Sequence, residues 1–380
     1  MSSPRSADPS SSANDGLIAA LDIGGTKIAG ALVDRDGVLV HHARRTTPAR
    51  ESADILLGAV HEVLGALAVS PLWEQVQAVG IGSAGPIDVA HGTVSPVNIP
   101  AWRNFPLIES VARHPAVGDR PVTLAGDAVA MTAAEHRHGA ARGHTNALCL
   151  VVSTGVGAGL VLNGSVHHGL TGNAGHLGHI SIDFDGETCP CGARGCLEAI
   201  ASGTAITRHA LALGWQAPPT AGAAAVAAAA RTGEAAAIAA FDRAARALAA
   251  GIAATAALIE IDIAVVGGGV AQSGEVFFEP LARHLRSYAA MPFLEELRVV
   301  PAELGPDAGL VGAAVLASRE FHPLRPCSAM AVGNRGHAAL GARPNCPFDL
   351  VRYPAPQIDE RSRRWLAAIA GISALSCPRA

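Results

Sequence analysis

The sequence predicts an α/β fold, on three observations. Short apolar runs recur along the chain and end on glycine, as strands do where they turn into loops. Three of these loops are rich in glycine: 22–30 (DIGGTKIAG), 153–159 (STGVGAG) and 265–270 (VVGGGV). Stretches of helical periodicity alternate with the strands, the longest an alanine-rich run over 203–259.

Taken in order, Leu17 to Asp22 reads as a strand that turns at Gly24-Gly25-Thr26 into a second strand, Ile28 to Val33. Asp36-Gly37 is a hairpin signal before a third, Val38 to Val40. Residues 51–70 have helical period. Val76 to Ile81 reads as a buried strand that ends in GSAGPID, a turn by composition. Pro121 to Leu124 is the next strand, ending at Gly126-Asp127, with an apolar helix from Ala128. Ala147 to Val152 turns through 153–157 into Gly159 to Leu162. Ile263 to Val266 is the last strong strand, and a helix over Asp307 to Ser318 closes the globular part. Residues 1–16 are polar and expected to be disordered. Residues 321–380, rich in proline, are expected to form an irregular tail with one short helix near Arg361 to Ile372.

Composition narrows the function classes. The 380 residues are 49% hydrophobic and 16% charged, with a formal net charge of -4, so no electrostatic case exists for nucleic-acid or membrane partners. The first sixteen residues lack the apolar core of a secretory signal. The run Ala247 to Ile259 falls short of the roughly 20 residues a membrane span needs. The expectation is a soluble, cytoplasmic protein. Among 28 basic residues only Lys27 is a lysine. Its place inside a glycine motif reflects either a local requirement or chance.

Cys189, Cys191 and Cys196 lie within eight positions, with His176 and His179 upstream and Glu198 downstream. Thiolates and an imidazole are zinc donors, and a closed structural site takes four, the count that His179 and the three cysteines supply. Gly192 and Gly195 allow the tight turns that bring the thiols together. Three buried thiols clustered by chance would give the same spacing less often, and a disulfide framework finds no support without export. The loop is expected to hold zinc.

Glycine loops after strands let backbone N–H groups approach phosphate oxygens, though each of the three could equally be a tight turn. Asp22, before the first loop, could hold magnesium or its waters. Asp127 sits at a strand end before a helix, where it is either a proton acceptor in phosphoryl transfer or the helix N-cap.

With these residues in view, the chain from 18 to 319 resembles the ROK family of sugar kinases and repressors, within the actin-like ATPase superfamily. DIGGTKIAG resembles its first phosphate loop, STGVGAG its second and VVGGGV its adenosine loop. AGHLGH with CPCGARGCLEAIASG resembles its zinc and sugar motif. The resemblance implies two actin-like (ribonuclease H-like) domains around an interdomain cleft. The first would cover 17–127, completed by the helix near 307–320. The second would cover 128–306, with the zinc loop at 179–196.

It further implies transfer of the γ-phosphate of ATP to a sugar 6-hydroxyl, with Asp127 as base. Asn98, Asp127, His176, His179 and Glu198 would contact the sugar. Asp22, Gly24, Gly25, Thr26, Lys27, Thr154, Gly155, Gly157, Gly267, Gly268 and Gly269 would hold Mg-ATP. His179 would serve both zinc and sugar. A homodimer is implied as well.

Three departures stand out. His176 replaces the family's usual glutamate and is similar to the bacterial N-acetylmannosamine kinases. A histidine there is expected to donate to an N-acetyl carbonyl. Gly126 replaces the usual asparagine before the aspartate, and the tail extends past the family's normal end. The repressor branch carries an N-terminal winged helix, for which the few residues before the first strand leave no room, so DNA binding is not expected. N-acetylmannosamine is the first expected substrate and glucose the second. A sugar-binding paralog without turnover, suggested by Gly126, is the competing class.

Overall fold

The computed structural model describes residues 16–217 and 221–318. The expected disordered segment over 1–16 (except Gly16) and the tail over 321–380 lie outside the described residues.

The N-terminal part begins with β1 (Leu17–Ile23), β2 (Lys27–Val33) and β3 (Leu39–Thr46), an antiparallel meander. Its first two strands are buried almost throughout, while β3 alternates toward solvent, as an edge strand with one wet face does. The third strand is therefore longer than its apolar start suggests, because its outer half carries His42, Arg44 and Arg45.

Helix α1 (Ala53–Ala68) is started by Ser52, whose side chain accepts the Ile55 N–H. It buries Leu56, Val60, Val63, Leu64 and Leu67, one face of a helix, and lies against β2 and β3. Then follow β4 (Val76–Ser83), the two-residue strands β5 (Ile87–Asp88) and β6 (Thr93–Val94), α2 (Leu107–Ala112) and β7 (Val122–Gly126). The first sheet runs β3-β2-β1-β4-β7, with β1, β4 and β7 parallel. Their register pairs Asp22 with Gly82 and Ser83 with Gly126, so the carboxyl ends of three strands share one edge. Sites in open α/β sheets gather at that edge.

Helix α3 (Asp127–His138) leads to β8 (Ala147–Val152), β9 (Val156–Leu162) and β10 (Ser165–His167). After the cysteine loop come α4 (Leu197–Ala201), α5 (Gly203–Ala212), α6 (Ala223–Arg231) and α7 (Ala235–Ile259). The last part holds β11 (Ile263–Gly267), α8 (Glu275–Tyr288), β12 (Arg298–Pro301) and α9 (Ala308–Ala317). The alanine-rich stretch is thus three helices, and β12 follows the strand expected to be last. The second sheet runs β10-β9-β8-β11-β12, with β8, β11 and β12 parallel. Strand for strand, this repeats the first sheet.

The two long α/β connections are exchanged. Helix α3 starts at the edge of the first sheet and packs on β8 and β9 of the second; α9 starts beyond β12 and packs on β1 and β4 of the first. Where they cross, a side chain on Gly312 would put its Cβ 1.6 Å from the Ala130 carbonyl oxygen, so only glycine permits this approach. Helix α9, sandwiched between α3 and the sheet, has no polar face: Leu310, Val311, Ala313, Ala314, Val315 and Leu316 are all buried. Among the described residues no single helix is long and apolar enough to cross a membrane.

Candidate active site

The edge formed by β1, β4 and β7 carries two carboxylates. Asp22 leaves the end of β1 and lies against Gly309 in the first turn of α9. Lys27 approaches it, Nζ to Oδ2 at 3.7 Å. Burial raises the Asp22 carboxyl above its usual range, and Lys27 opposes that rise.

Asp127 leaves the end of β7 at the floor of the same edge. Desolvation is the chief cause that pushes its carboxyl up to about 6; the Ala128 N–H it accepts opposes this, Asp22's charge adds to it, and His176 pulls it down. Its carboxylate oxygen Oδ1 accepts that N–H at 2.7 Å.

The N-cap alternative for Asp127 is corrected. The cap is Gly126, in an extended conformation with φ -66° and ψ 148° and no side-chain bond, and Asp127 is the first helical residue, one earlier than expected. Nothing in this backbone requires glycine at 126, since an added Cβ would meet nothing nearer than Val129 Cγ2 at 3.9 Å. The carboxylate accepts the Ala128 N–H from within the first turn, and the cap position itself is left to Gly126.

The first glycine loop is the β1–β2 turn, closed by Gly24 N–H to Lys27 O at 2.9 Å and held by Thr47 Oγ1 to Gly24 O at 2.7 Å. Thr26 is exposed at its tip. Asn98 comes to this loop from the segment after β6. It lies so close to Gly25 that a Cβ there would sit 2.5 Å from Asn98 Nδ2. The second loop, Ser153 to Gly155, is the β8–β9 turn. The third, Gly267 to Gly269, follows β11 and folds over it: Gly268, at φ 88°, leaves no space for a Cβ beside the Val152 carbonyl, and Val270 N–H donates to that carbonyl at 3.0 Å. Two of the loops are thus neighbours on the second sheet. Gly157 lies against Ala128, next to Asp127 in α3.

The cysteine loop gathers its donors as expected. His179, Cys189, Cys191 and Cys196 have ligand atoms all within 4.8 Å of one another. Donors about 2.3 Å from a tetrahedral centre lie about 3.8 Å apart. Cys191 Sγ to Cys196 Sγ is 3.7 Å, and His179 Nδ1 to Cys189 Sγ is 3.8 Å. The set fits a four-coordinate metal, with its widest edge about one ångström longer than that ideal. Burial pushes the Cys196 thiol up to about 12 and raises Cys189, whereas a backbone N–H lowers exposed Cys191. A cation is what would hold the buried pair as thiolates. Gly195 is needed for the loop: its φ is 67°, and a Cβ there would lie 1.6 Å from the Asp183 carbonyl oxygen.

The residues after the cysteines reach back to the second glycine loop. Glu198, in the first turn of α4, accepts the Val156 N–H at 2.8 Å. Gly203 N–H donates to Ser153 O at 2.7 Å, and Thr204 Oγ1 to Thr154 O at 3.1 Å. These last two grips were missed in the sequence. The only signal was the run Ala201-Ser202-Gly203 after the cysteines, with Ser202 as a helix cap.

His176 lies beside His179, ring centroids 6.2 Å apart, and its Nε2 faces the Gly85 turn. Its expected donor role is corrected for the neutral ring. Nδ1 stands 2.9 Å from the Asn173 carbonyl, which can only accept, so Nδ1 carries the proton and Nε2 is the acceptor. Asp22 and His176 thus lie close enough to Asp127 to bear on its carboxyl; Glu198 and Asn98 reach the glycine loops that flank them.

The candidate site thus sits on a duplicated mixed sheet, with glycine loops and two carboxylates at the strand ends. Residues 18–320 match the ROK family, and the chain belongs to it. It is 35% identical over 308 residues to a glucokinase of Thermotoga maritima, covering 77% of this chain and 95% of the relative. It is 34% identical over 299 residues to an N-acetylmannosamine kinase of Yersinia pseudotuberculosis, covering 78% and 97%. A solved ROK glucokinase of Streptomyces griseus, in complex with glucose and AMPPNP, superposes with a TM-score of 0.70 at 34% identity, over 79% of this chain and 99% of that one.

Proposed function

We propose that the protein is an ATP-dependent sugar kinase that phosphorylates the 6-hydroxyl of a hexose or N-acetylhexosamine. The observation that carries this reading is Asp127: a carboxylate at a strand end, raised to about 6, beside a second carboxylate, in the first turn of α3 with the cap position held by Gly126. A base with that proton affinity is ionised at neutral pH and still takes a proton from a hydroxyl as phosphoryl transfer develops.

ATP supplies the phosphoryl group. The backbone N–H groups of Gly24 to Lys27, Thr154 to Gly157 and Gly267 to Gly269 would cradle its phosphates and adenosine. Asp22, whose burial favours a nearby cation, would take magnesium or its waters. Asn98, Asp127, His176, His179 and Glu198 would orient the sugar, and zinc on His179, Cys189, Cys191 and Cys196 would fix the loop that presents them. With Nδ1 toward the thiols, His179 would keep Nε2 for the substrate. The repeated sheets support two domains, 17–127 with the helix near 307–320, and 128–306.

N-acetylmannosamine is the first substrate on the AGHLGH and CLEAIASG segments; its amide N–H is a donor that His176 Nε2 can accept. Glucose is the second reading, favoured by the glucokinase relatives, which match as closely. An assay of ADP release over a panel of sugars tests both. Turnover on one of these two, lost in Asp127→Asn, is the expected result; no turnover on any sugar would leave the sugar-binding paralog.

A further inference from the structure

Asn173 is a residue to which neither the glycine loops nor the cysteine motif assigns a task. It lies in the strap from His168 to His176, which leaves β10 and crosses to the turn after β4. There its side-chain amide bonds the backbone of Ile87 twice: Oδ1 accepts the Ile87 N–H at 3.0 Å, and Nδ2 donates to the Ile87 carbonyl at 2.6 Å. Nδ2 also donates to Thr171 Oγ1 at 2.9 Å, while Thr171 O accepts the Val89 N–H at 3.1 Å. One side chain thus completes a strand-like pairing across 86 residues of sequence. Because a donor and an acceptor of Ile87 are both matched, the orientation of the amide is fixed.

The main-chain carbonyl of the same residue takes the proton of His176 Nδ1 at 2.9 Å. His176 is otherwise exposed, and this is the single hydrogen bond of its side chain among the described residues. Its other nitrogen, Nε2, points at the Gly85 turn, two residues from Ile87; a Cβ on Gly85 would lie 3.8 Å from it. The strap therefore sets the distance of His176 from that turn and which of its nitrogens carries a lone pair.

We propose that Asn173 is a positioning residue that locks His176 in the tautomer with Nε2 as acceptor, so that the site selects a sugar presenting a hydroxyl or amide N–H there and rejects a carbonyl oxygen. A glutamate can only accept as well. His176 in this tautomer keeps the acceptor of the family's usual residue and removes its charge. If His176 touches sugar, as proposed above, release of Asn173 should raise KM for the sugar with little change in kcat, because uniform binding is lost and not the chemistry.

The test is nitrogen NMR of the full chain labelled with ¹⁵N-histidine, the His176 signals being those absent from His176→Gln. The expected wild-type signature is a protonated Nδ1 and a bare Nε2. In Asn173→Ala the two nitrogens should average between tautomers, and KM for the sugar should rise about tenfold, the scale of one lost site contact. Asn173→Asp, which keeps the acceptor for Ile87 N–H and loses the donor, should fall between. A protonated Nε2 in the wild type, or an unchanged signature in either Asn173 variant, would overturn the assignment. The wild-type spectrum decides even where a variant fails to fold. A chain that phosphorylates no sugar would remove the kinase reading, while the spectra still judge Asn173.

Discussion

Glu198 and Val156 are joined by a hydrogen bond of 2.8 Å between a carboxylate that follows the zinc-type loop and a backbone N–H of the second glycine loop. The oxygen involved, Oε2, also lies where a Cβ on Gly155 would stand, 2.5 Å away, so the loop is shaped around it. The proposed sugar contact is thereby a support of the proposed phosphate cradle. Glu198→Ala should raise KM for ATP as well as for sugar, each by about tenfold, since a charge-assisted bond is lost. Glu198→Gln, which keeps an acceptor for Val156, should spare the ATP constant. Initial-rate measurements with each substrate varied in turn check this, and an unchanged KM for ATP in Glu198→Ala would separate the two sites.

Asp127→Asn should lower kcat by at least about 10²-fold, the scale of losing a general base. In the wild type kcat/KM should fall as pH drops through about 6, where the carboxyl takes up its proton, and stay level above. Stability runs the other way. The folded pKa is raised above the ordinary carboxyl value of 3.8, so the folded state binds the proton more tightly, and the cost of burying the charge grows between pH 3.8 and about 6. The Asn variant should therefore gain most in Tm above pH 6 and lose that advantage toward pH 4. Parallel rate profiles and melting curves check both signs.

About one zinc per chain is expected by elemental analysis, lost in Cys191→Ser. Removing the metal with a chelator should lower Tm and weaken sugar binding together, because the metal would fix the loop that carries His179. An active preparation without zinc would refute this.

Gly126→Asn should lower KM for the sugar about fivefold, the worth of one added hydrogen bond, with kcat little changed. The open space beyond 126 admits the side chain, and asparagine caps a helix a few tenths of a kcal/mol better than glycine. A KM that rises instead would show that this site is built for glycine.

How much of this was legible follows from the range of each signal. The buried strands β1, β4, β8 and β11 are mostly apolar runs that lead into glycine-bearing turns, and local sequence is enough to read them. The four donors of the cysteine loop lie within 18 positions of sequence, so spacing alone brings them together. Strands β10 and β12 are three and four residues long, and α8 carries an internal Pro280; none has a run long enough to stand out. The tautomer of His176 and the grip of Glu198 on Val156 were illegible for another reason. Both depend on one backbone group that only the folded chain puts in place. Asp127's place in its helix turned on which of two adjacent residues takes the extended conformation, which side-chain preference does not decide.

The exchange of α3 and α9 has a consequence for how the chain can come to its structure. The faces of β1 and β4 that α9 covers stay bare until residues 308–317 have been made, nearly 300 positions after β1. On the ribosome the N-terminal sheet must wait, with Ala20, Ala78 and the small residues around them exposed, for the last helix of the globular part. Contacts of that separation are slow to close. A chain cut before Ala308 would lose more than a helix: it would leave its first-made half without a lid over its core.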